Sequence, residues 1–523
     1  MRALLRPLAA QGRFAPTPLD GGRRLVVVQL DGVSRARLER AMGEGWMPFL
    51  ADRVASGRHR LASCRSGAPA STPAFEAGLF YGVSPAVPGF AWVERETGRE
   101  VRMDRAADAA EIERRLRRRG RGLLRGGTAY FSIFSGDASL PHFCLSGLAG
   151  ELDLEALAAH LGPSDAIASI LAHSVGAVRA ALRLAGEAGA AALDGLSWSL
   201  ARGRATHEPR FFVHRLLVGA LLREVSVQNI LLDVSRGVPV VFCDLLGFDA
   251  YAHRRGPDSR LAMRNLAAAD AALAVVLSAA DAAPELGYDV YVLSDHGHVR
   301  TKPFEVLTGV PLVEYVARAD RGAPLPRGAP EARPRPRGGA RAVGTSRTDG
   351  IAVAEAGDLA HVYFLHDQGP LPLAAIEARH RRVLAALTSS PAVGILGVRG
   401  GRRGLALVRG VPLDLADAAD VARLPHPEPA VAAAYVSDLL TLPEAGDVVV
   451  FGWRGPEQPT VAFAWEFGSH GGLDPEEIGS FVLHPPGVAF PFREVVRPAE
   501  LHAFFEVRHR APLEAASPVG APG

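Results

Sequence analysis

Aspartate and histidine side chains stand directly after four short apolar runs, at the places where predicted strands end. The polar segments that follow these runs are Asp31-Gly32, Asp249-Ala250-Tyr251-Ala252-His253, Ser294-Asp295-His296-Gly297 and Gly468-Ser469-His470-Gly471-Gly472. In an open α/β sheet, ligands bind just beyond the carboxyl ends of the strands. Oxygen and nitrogen ligands without cysteine suit catalytic zinc or manganese. The six aspartates and histidines therefore predict a site for two divalent metal ions, Zn²⁺ or Mn²⁺.

The spacing within two of these segments supports a metal site. If Asp249 and His253 lie on a helix, they are one turn apart on the same face and can reach one ion. After Asp295 and His296, Gly297 permits a tight backbone turn that brings adjacent side chains to one centre. A lone aspartate after a strand is more often a helix cap, and a lone histidine is more often a core or surface residue. The metal prediction therefore depends on the ordered set.

A threonine is the best candidate for a nucleophile. Thr72 stands directly before Pro73, and proline suits the first position of a helix, so Thr72 is predicted to be the N-cap. A hydroxyl at that place faces the positive end of the helix, which together with a metal ion would stabilise an alkoxide and phosphoryl oxygens. From these residues alone, a purely structural cap is the favoured interpretation.

The elements that must position these residues follow an alternating pattern. Short β-branched runs alternate with longer Ala/Leu/Arg segments of helical period, which predicts an α/β fold with a large, mostly parallel central sheet and helices on both faces. The clearest predicted strands are Arg24 to Leu30, Val238 to Cys243, Asp289 to Leu293, Ala360 to Phe364, Asp447 to Phe451 and Thr460 to Trp465.

The domain organisation predicted from composition is one catalytic domain over residues 23–511. Residues 1–22 are expected to form a flexible N-terminus, and residues 512–523 a disordered tail. Residues 152–236 are rich in Ala, Leu and Arg, and predict an inserted helical cap. Residues 321–350 are rich in Pro, Gly and Arg, and predict a mobile loop.

The overall composition argues against several classes of partner. The formal net charge is only +2, with 58 basic and 56 acidic residues, so no general attraction to nucleic acid or anionic membranes is predicted. The basic run from Arg333 to Gly339 has no interleaved aromatic residues, so no nucleic-acid partner is expected. No stretch of about 20 apolar residues is present, which predicts a soluble protein without a transmembrane segment. Peripheral membrane contact and the oligomeric state are left open.

The cysteines indicate the compartment. Cys64, Cys144 and Cys243 are widely spaced and form no CxxC pair, so a disulfide framework is not expected. The broken apolar run between Ala3 and Ala10 is too short for the core of a signal peptide. Together these features predict a cytoplasmic location.

In this order, the motifs resemble those of the nucleotide pyrophosphatase/type I phosphodiesterase family of the alkaline phosphatase superfamily. The segments near Phe75, Phe90 and Asp137 are similar to an uncharacterised bacterial branch of that family. The resemblance implies an alkaline phosphatase-like fold, a small-molecule phosphoester substrate and two zinc ions. It assigns Asp249, His253 and His470 to one ion, and assigns Asp31, Asp295, His296 and the Thr72 hydroxyl to the other. It also implies that Thr72 attacks phosphorus and forms a covalent phospho-threonine intermediate.

One departure from the family pattern leaves the substrate open. The family's asparagine donor to a phosphoryl oxygen is absent from the matching region, which reads Phe90-Ala91-Trp92-Val93. Arg95 and His298 are candidates to replace it, and Trp92 is a candidate to line the substrate pocket. The phosphodiesterase function is therefore weighed against a phosphomonoesterase of the same superfamily and against a catalytically silent binding protein on this fold. A sulfatase is disfavoured because Phe75 stands where the sulfatase motif needs arginine, and a mutase would need Ser71 as the nucleophile.

Overall fold

The computed structural model describes residues 22–148, 219–326, 343–348, 350–367 and 369–511, with short helical pieces between residues 185 and 197. Nearly all of the predicted flexible N-terminus and all of the predicted tail, residues 512–523, lie outside the described residues. So do residues 327–342 of the predicted loop and most of the predicted helical insertion.

An eight-stranded sheet forms the centre of the described fold. In spatial order its strands are β20 (Glu494–Val495), β2 (Arg60–Arg65), β19 (Gly479–His484), β8 (Tyr288–Leu293), β1 (Arg24–Leu30), β7 (Val240–Leu245), β5 (Thr128–Tyr130) and β6 (Leu140–His142). Neighbouring strands are parallel except where β19 pairs with β2 and β8. The predicted large, mostly parallel sheet is confirmed.

Both faces of the central sheet are covered, because successive side chains of a strand point to opposite faces. In β1, Leu25 and Val27 enter one hydrophobic core, and Val26 and Val28 enter the other. The helices on the first face are α3 (Thr72–Tyr81), α4 (Ala106–Leu116) and α15 (Pro498–Phe505). The helices on the second face are α1 (Arg35–Gly43), α2 (Pro48–Ala55), α5 (Leu222–Arg236), α6 (Gly247–Arg255) and α7 (Arg260–Ala282). Helices on both faces are therefore confirmed.

The end of the predicted insertion belongs to this helical layer. Val227, Ile230 and Val234 of α5 are buried in the core beneath the sheet. Their apolar side chains lie three and four residues apart, so they form one helical face. This helix therefore packs on the sheet, and residues 222–236 belong to the catalytic fold's helical layer and not to a separate cap.

Helix α7 is long and apolar enough to cross a membrane by length and composition, the one such helix among the described residues. Much of it packs into the core of the second face. From within α7, the Asp270 carboxylate accepts the backbone N–H groups of Phe49 and Leu50, at 2.9 and 3.0 Å. These donors belong to the first turn of α2. The N-cap residue of this helix, Met47, makes no side-chain hydrogen bond to that turn.

A second sheet of seven strands lies beside the first. Its spatial order is β10 (Val343–Thr348), β11 (Ile351–Ala356), β12 (Leu359–Phe364), β16 (Val448–Phe451), β13 (Ile395–Val398), β14 (Leu405–Val408) and β15 (Val411–Asp414). All its pairs are antiparallel. Two predicted strands, here β12 and β16, lie in this sheet and not in the parallel one.

Part of the predicted mobile loop is ordered by strand pairing. β10 covers residues that composition placed in the loop 321–350, but its backbone pairs with β11 from Val343 opposite Ala356 to Thr348 opposite Ile351. Residues 312–320 before the loop form helix α9, which packs on this sheet. The loop prediction was therefore wrong for residues 343–348, where local pairing with the next strand outweighs composition.

The remaining helices surround the second sheet or join the sheets. They are α8 (Phe304–Thr308), α9 (Leu312–Asp320), α10 (Leu373–Arg379), α11 (Arg381–Ser389), α12 (Ala418–Val421), α13 (Pro429–Thr441) and α14 (Pro475–Ile478). Single 3₁₀ turns span Leu145–Leu148 and Pro284–Leu286, and a π turn spans Glu506–Arg510.

Two small sheets complete the described strands. β3 (Ala91–Val93) pairs with β4 (Glu100–Arg102). β9 (Val299–Pro303) lies between β17 (Thr460–Ala462) and β18 (Gly468–Ser469). The pairing of Ser469 with Val299 brings the segment that carries His470 beside the segment that carries His298.

Candidate metal centre

The predicted aspartates and histidines meet at the carboxyl ends of the central strands. Two groups each hold ligand atoms within 4.8 Å of one another: Asp249, His253, His298 and His470 in one, and Asp31, Asp295 and His296 in the other. We call Asp249, His253 and His470 the first group, and Asp31, Asp295 and His296 the second group. The rings of His296 and His470 stack with centroids 3.8 Å apart, so the two groups adjoin.

The first group has the spacing that one shared ion requires. Nε2 of His253 lies 3.5 Å from Asp249 Oδ1, and Nε2 of His470 lies 3.6 Å from the same atom. Two ligands of one tetrahedral zinc ion lie about 3.3–3.6 Å apart, given zinc–ligand distances of roughly 2.0–2.2 Å. Helix α6 places Asp249 and His253 one turn apart, as their spacing predicts. These residues fit a divalent ion.

His298 has a different relation to Asp249. Its Nε2 lies 2.7 Å from Asp249 Oδ1, which is a hydrogen-bond distance and shorter than the separation of two ligands on one ion. Its side chain is fully buried inside the cluster, and the ring does not line the cavity described below. The prediction that His298 contacts substrate is therefore replaced by a hydrogen bond to Asp249.

Gly32 makes room for this pair. A Cβ atom built on Gly32 would lie 2.9 Å from His298 Cδ2 and 3.1 Å from Asp249 Oδ1. The backbone of Gly32 is also in the left-handed region, with φ +74°. Glycine is therefore needed here for both conformation and space.

The second group presents carboxylate oxygens that lack hydrogen donors. Nε2 of His296 lies 3.6 Å from Asp31 Oδ1 and 3.2 Å from Asp295 Oδ2. Within the described part of the chain, these two oxygens are buried and accept no hydrogen bond. A buried carboxylate oxygen is costly unless it is paired or coordinates a metal. Two such atoms beside one imidazole fit a second divalent ion.

Electrostatics in the centre also favour cations. Burial raises the pKa of Asp31 well above its usual range, and repulsion from Asp249 and Asp295 raises it further. Burial likewise raises the pKa of Asp295 to about 6. Burial opposes ionisation of Asp249, yet its three histidine neighbours hold its pKa well below the usual value. A divalent cation bound among these carboxylates would relieve their mutual repulsion.

All three histidines of the two groups turn Nε2 toward the carboxylates. Their Nδ1 atoms lie 3.2 Å from Gly468 O for His253, 3.1 Å from Gly297 O for His296 and 2.8 Å from Ala70 O for His470. A carbonyl only accepts, so Nδ1 carries a proton in each ring, and Nε2 is the atom that would bind a metal.

Glu466 is a polar neighbour that the sequence interpretation missed. Its Oε2 lies 3.1 Å from His253 Nδ1 and accepts the Ser469 hydroxyl at 3.3 Å. Burial lowers the pKa of His253, but the charges of Glu466 and Asp249 outweigh it and raise that pKa to about 10. The only signal in the sequence was that Glu466 is acidic and precedes His470 by four residues in the same segment.

Thr72 lies against the second group. The helix begins one residue earlier than predicted: Ser71 is the N-cap, and Thr72 is the first helical residue of α3. Its Oγ1 lies 3.4 Å from His296 Nε2. The positive end of the helix dipole lies at this hydroxyl. An anionic phosphoryl group bound here would be stabilised by that dipole.

Tyr435 connects the segments that carry Thr72 and His470. Its hydroxyl accepts the backbone N–H of Ala70 at 2.7 Å and donates to the carbonyl of Gly471 at 2.7 Å. The side chain comes from α13, so the second sheet's layer fixes the distance between these two segments.

A cavity of about 410 Å³ opens onto the centre. Its polar wall includes Asp31, Thr72, Asp244, Asp249, His253, Glu466 and His470. Its apolar wall includes Phe90, Phe131, Ile133, Leu246 and Leu359. Asp244 accepts a hydrogen bond from the Gln29 side-chain amide at 3.0 Å through one oxygen.

Two of the predicted substrate contacts lie elsewhere. Trp92 is 2% exposed and packs in the hydrophobic core of the first face. Arg95 forms an ion pair with Asp447 at 3.1 Å and lies over the Tyr363 ring. Neither side chain lines the cavity, so both predictions are corrected.

Comparisons with known proteins gave structural matches only. No protein-family model matches the sequence, and no curated protein matches it. The solved structures that resemble it include phosphonoacetate hydrolase from Sinorhizobium meliloti 1021 in complex with phosphonoformate, at 16% sequence identity, and the same enzyme in complex with phosphonoacetate, at 17%. Each match covers 95% of this chain and 99% of the other, with a TM-score of 0.46.

Proposed function

We propose that this protein hydrolyses a phosphate ester, preferably a phosphodiester, with Thr72 as the nucleophile and two divalent metal ions as cofactors. The observation that carries the proposal is the meeting of two Asp/His groups beside the Thr72 hydroxyl at one edge of the sheet. The ordered motifs support placing the chain near the nucleotide pyrophosphatase/type I phosphodiesterase family.

Each group would hold one ion through its own residues. Asp249, His253 and His470 would hold the first, and the second group together with Thr72 Oγ1 would hold the other. When bound, the ions would polarise the threonine hydroxyl and neutralise charge on the phosphoryl and leaving oxygens. Three protein ligands at the first group leave a coordination position open, which is typical of catalytic zinc sites.

The chain's own residues would then carry the displacement. The Thr72 hydroxyl loses its proton to solvent, and Oγ1 forms a bond to phosphorus while the bond to the leaving oxygen breaks. The leaving alkoxide takes a proton from water. A second water then attacks the phospho-threonine, releases phosphate or a phosphomonoester and restores the hydroxyl. The N-terminus of α3 stabilises the anionic phosphoryl group in both steps.

The cavity walls favour a diester over a monoester. A phosphodiester carries one negative charge, and its second substituent can contact the apolar wall of Phe90, Phe131 and Leu359. Among the described residues that line the cavity there is no arginine or lysine to neutralise the second negative charge of a monoester dianion.

The test is metal content by elemental analysis, followed by turnover of bis-nitrophenyl phosphate and nitrophenyl phosphate before and after chelation. We expect about two zinc or manganese ions per chain, chelator-sensitive turnover and faster hydrolysis of the diester. Faster hydrolysis of the monoester would indicate a phosphomonoesterase. A metal-free, inactive protein that resists reconstitution would indicate a silent binding protein.

Two variants test the site. Thr72→Ala and His470→Ala are each expected to abolish turnover while the thermal transition is retained. Thr388→Ala and His366→Ala are matched controls on residues outside the cavity, and both should keep wild-type turnover. Unchanged turnover in Thr72→Ala or His470→Ala would refute the assignment of the centre.

A further inference from the structure

The two groups differ in the charge that they offer a cation. The second group contains two carboxylates, Asp31 and Asp295, whereas the first group contains one, Asp249. Two carboxylates balance one divalent ion, but one carboxylate with two neutral histidines leaves a net positive charge in a buried place. Uncompensated charge of this kind is costly away from water. The first group therefore needs another anion nearby.

Glu466 is placed to supply that anion. Glu466 is only 3% exposed, and its Oε2 lies 3.1 Å from Nδ1 of His253. An ion bound at Nε2 lies on the opposite edge of the ring from Nδ1. Glu466 thus contacts the ligand and not the ion.

The three histidines show what is special about His253. The Nδ1 atoms of His296 and His470 each face a backbone carbonyl, at 3.1 and 2.8 Å. His253 faces the carbonyl of Gly468 at 3.2 Å and the Glu466 carboxylate as well. The carbonyl alone would set the tautomer, so the carboxylate adds charge. A carboxylate behind a histidine raises the basicity of the ligand and strengthens metal binding.

Neighbouring side chains hold Glu466 in this orientation. The Ser469 hydroxyl donates to Oε2 at 3.3 Å, and the Thr301 hydroxyl donates to the Glu466 backbone carbonyl at 3.2 Å. Ser469 precedes the ligand His470, and Thr301 belongs to β9, the strand that pairs with β18. The carboxylate is therefore fixed by the same small sheet that positions His470.

We propose that Glu466 is a positioning residue that orients His253 and completes the charge of the first ion's site, without ligating the ion. The proposal rests on the proposed function, since it requires that the centre binds metal. It makes affinity for the first ion depend on Glu466, while affinity for the second ion does not.

The test is a zinc titration of the purified protein against a chromophoric chelator, which yields two dissociation constants. Glu466→Gln keeps the size of the side chain and an acceptor oxygen but removes the charge. One ion should bind about 10–100-fold more weakly in this variant, and the other as in the wild type. His470→Ala should weaken the same ion, and Asp31→Asn the other, which identifies each site. Glu428→Gln, on a glutamate paired with Arg65, is the matched control and should change neither constant.

Three results would overturn the proposal. Unchanged affinity for both ions would mean that the Gly468 carbonyl alone suffices. Loss of one whole ion at saturating zinc would mean that Glu466 is itself a ligand. Equal weakening of both ions together with a lower thermal transition would mean a general structural role. A wild-type protein that binds no zinc would refute the proposed function itself, and this result would be seen before any variant is compared.

Discussion

Replacing Gly32 by alanine is expected to weaken metal binding at the first group and to lower the stability of the fold. The new Cβ would lie 2.9 Å from His298 Cδ2 and 3.1 Å from Asp249 Oδ1, whereas ordinary contacts begin at 3.4 Å. His298 must therefore move by about 0.5 Å, and the hydrogen-bonded Asp249 with it. Metal ligands tolerate displacements of only about 0.2 Å. We expect the first ion to bind at least about tenfold more weakly, roughly 1.4 kcal/mol.

Backbone strain also lowers the stability of Gly32→Ala, and a second glycine variant measures this contribution separately from the clash. Alanine at φ +74° costs about 1–2 kcal/mol relative to glycine. Gly57 has φ +70° with no atom within 4 Å of a built Cβ, so Gly57→Ala carries the strain without the clash. Urea unfolding should show a similar loss of stability in both variants, and zinc titration should show a loss of affinity only in Gly32→Ala. Wild-type zinc affinity in Gly32→Ala would refute the reasoning.

Three further changes have expected outcomes. Tyr435→Phe leaves the N–H of Ala70 and the carbonyl of Gly471 without their buried partner, so urea unfolding should show a loss of about 1–3 kcal/mol, and turnover should fall. His361→Gln should remove about 2 kcal/mol of the stability difference between pH 7 and pH 5, measured by urea unfolding at each pH. Asp270→Ala removes the acceptor for the first turn of α2 and should lower the free energy of unfolding by about 1–3 kcal/mol, which is seen as a lower thermal transition temperature.

The sign of the pH effect follows from the environment of His361. Burial lowers the pKa of this histidine from 6.5 to about 4. The ring donates from Nε2 to Pro88 O at 2.8 Å and accepts the Gly446 N–H at 3.2 Å, so the folded state holds it neutral. As the pH falls from about 6.5 to about 4, the unfolded state binds a proton first, and stability present above pH 6.5 is lost.

Each of these predictions has a contrary result. An identical pH slope in wild type and His361→Gln would mean that other groups determine the acid sensitivity. Full stability of Tyr435→Phe would show that water replaces the hydroxyl. An unchanged thermal transition in Asp270→Ala would show that α2 begins without this cap.

The positions of the six aspartates and histidines could be predicted because they follow directly from local pattern. β1 has the predicted bounds, Arg24–Leu30, and Asp31 follows it at the sheet edge. Asp249 and His253 lie on one helix, so their spacing in the sequence was enough to predict that they share a face. Their role as metal ligands stays a prediction, which the zinc titration tests.

Features that depend on distant parts of the chain could not be predicted in this way. The contact between the Glu466 carboxylate and Nδ1 of His253 joins residues that are far apart in the sequence, and no periodic pattern of residue types indicates it. β10 is a different case: it pairs with the strand that follows it at once, Thr348 opposite Ile351, and it was missed because the Pro/Gly/Arg-rich composition of residues 321–350 was weighed above this local pairing. The start of α3 differed by one residue because proline fits either of the first two helical positions.

The antiparallel strand β19 has a consequence for biosynthesis. It lies between β2 and β8, yet both of its neighbours are made long before it. Until Gly479–His484 has left the ribosome, two strands of the central sheet have unpaired edges, which favour aggregation. The proposed metal ligands also run from Asp31 to His470, so a nascent chain cannot complete either the sheet or the candidate metal centre early. Metal loading should therefore be a late, largely post-translational event.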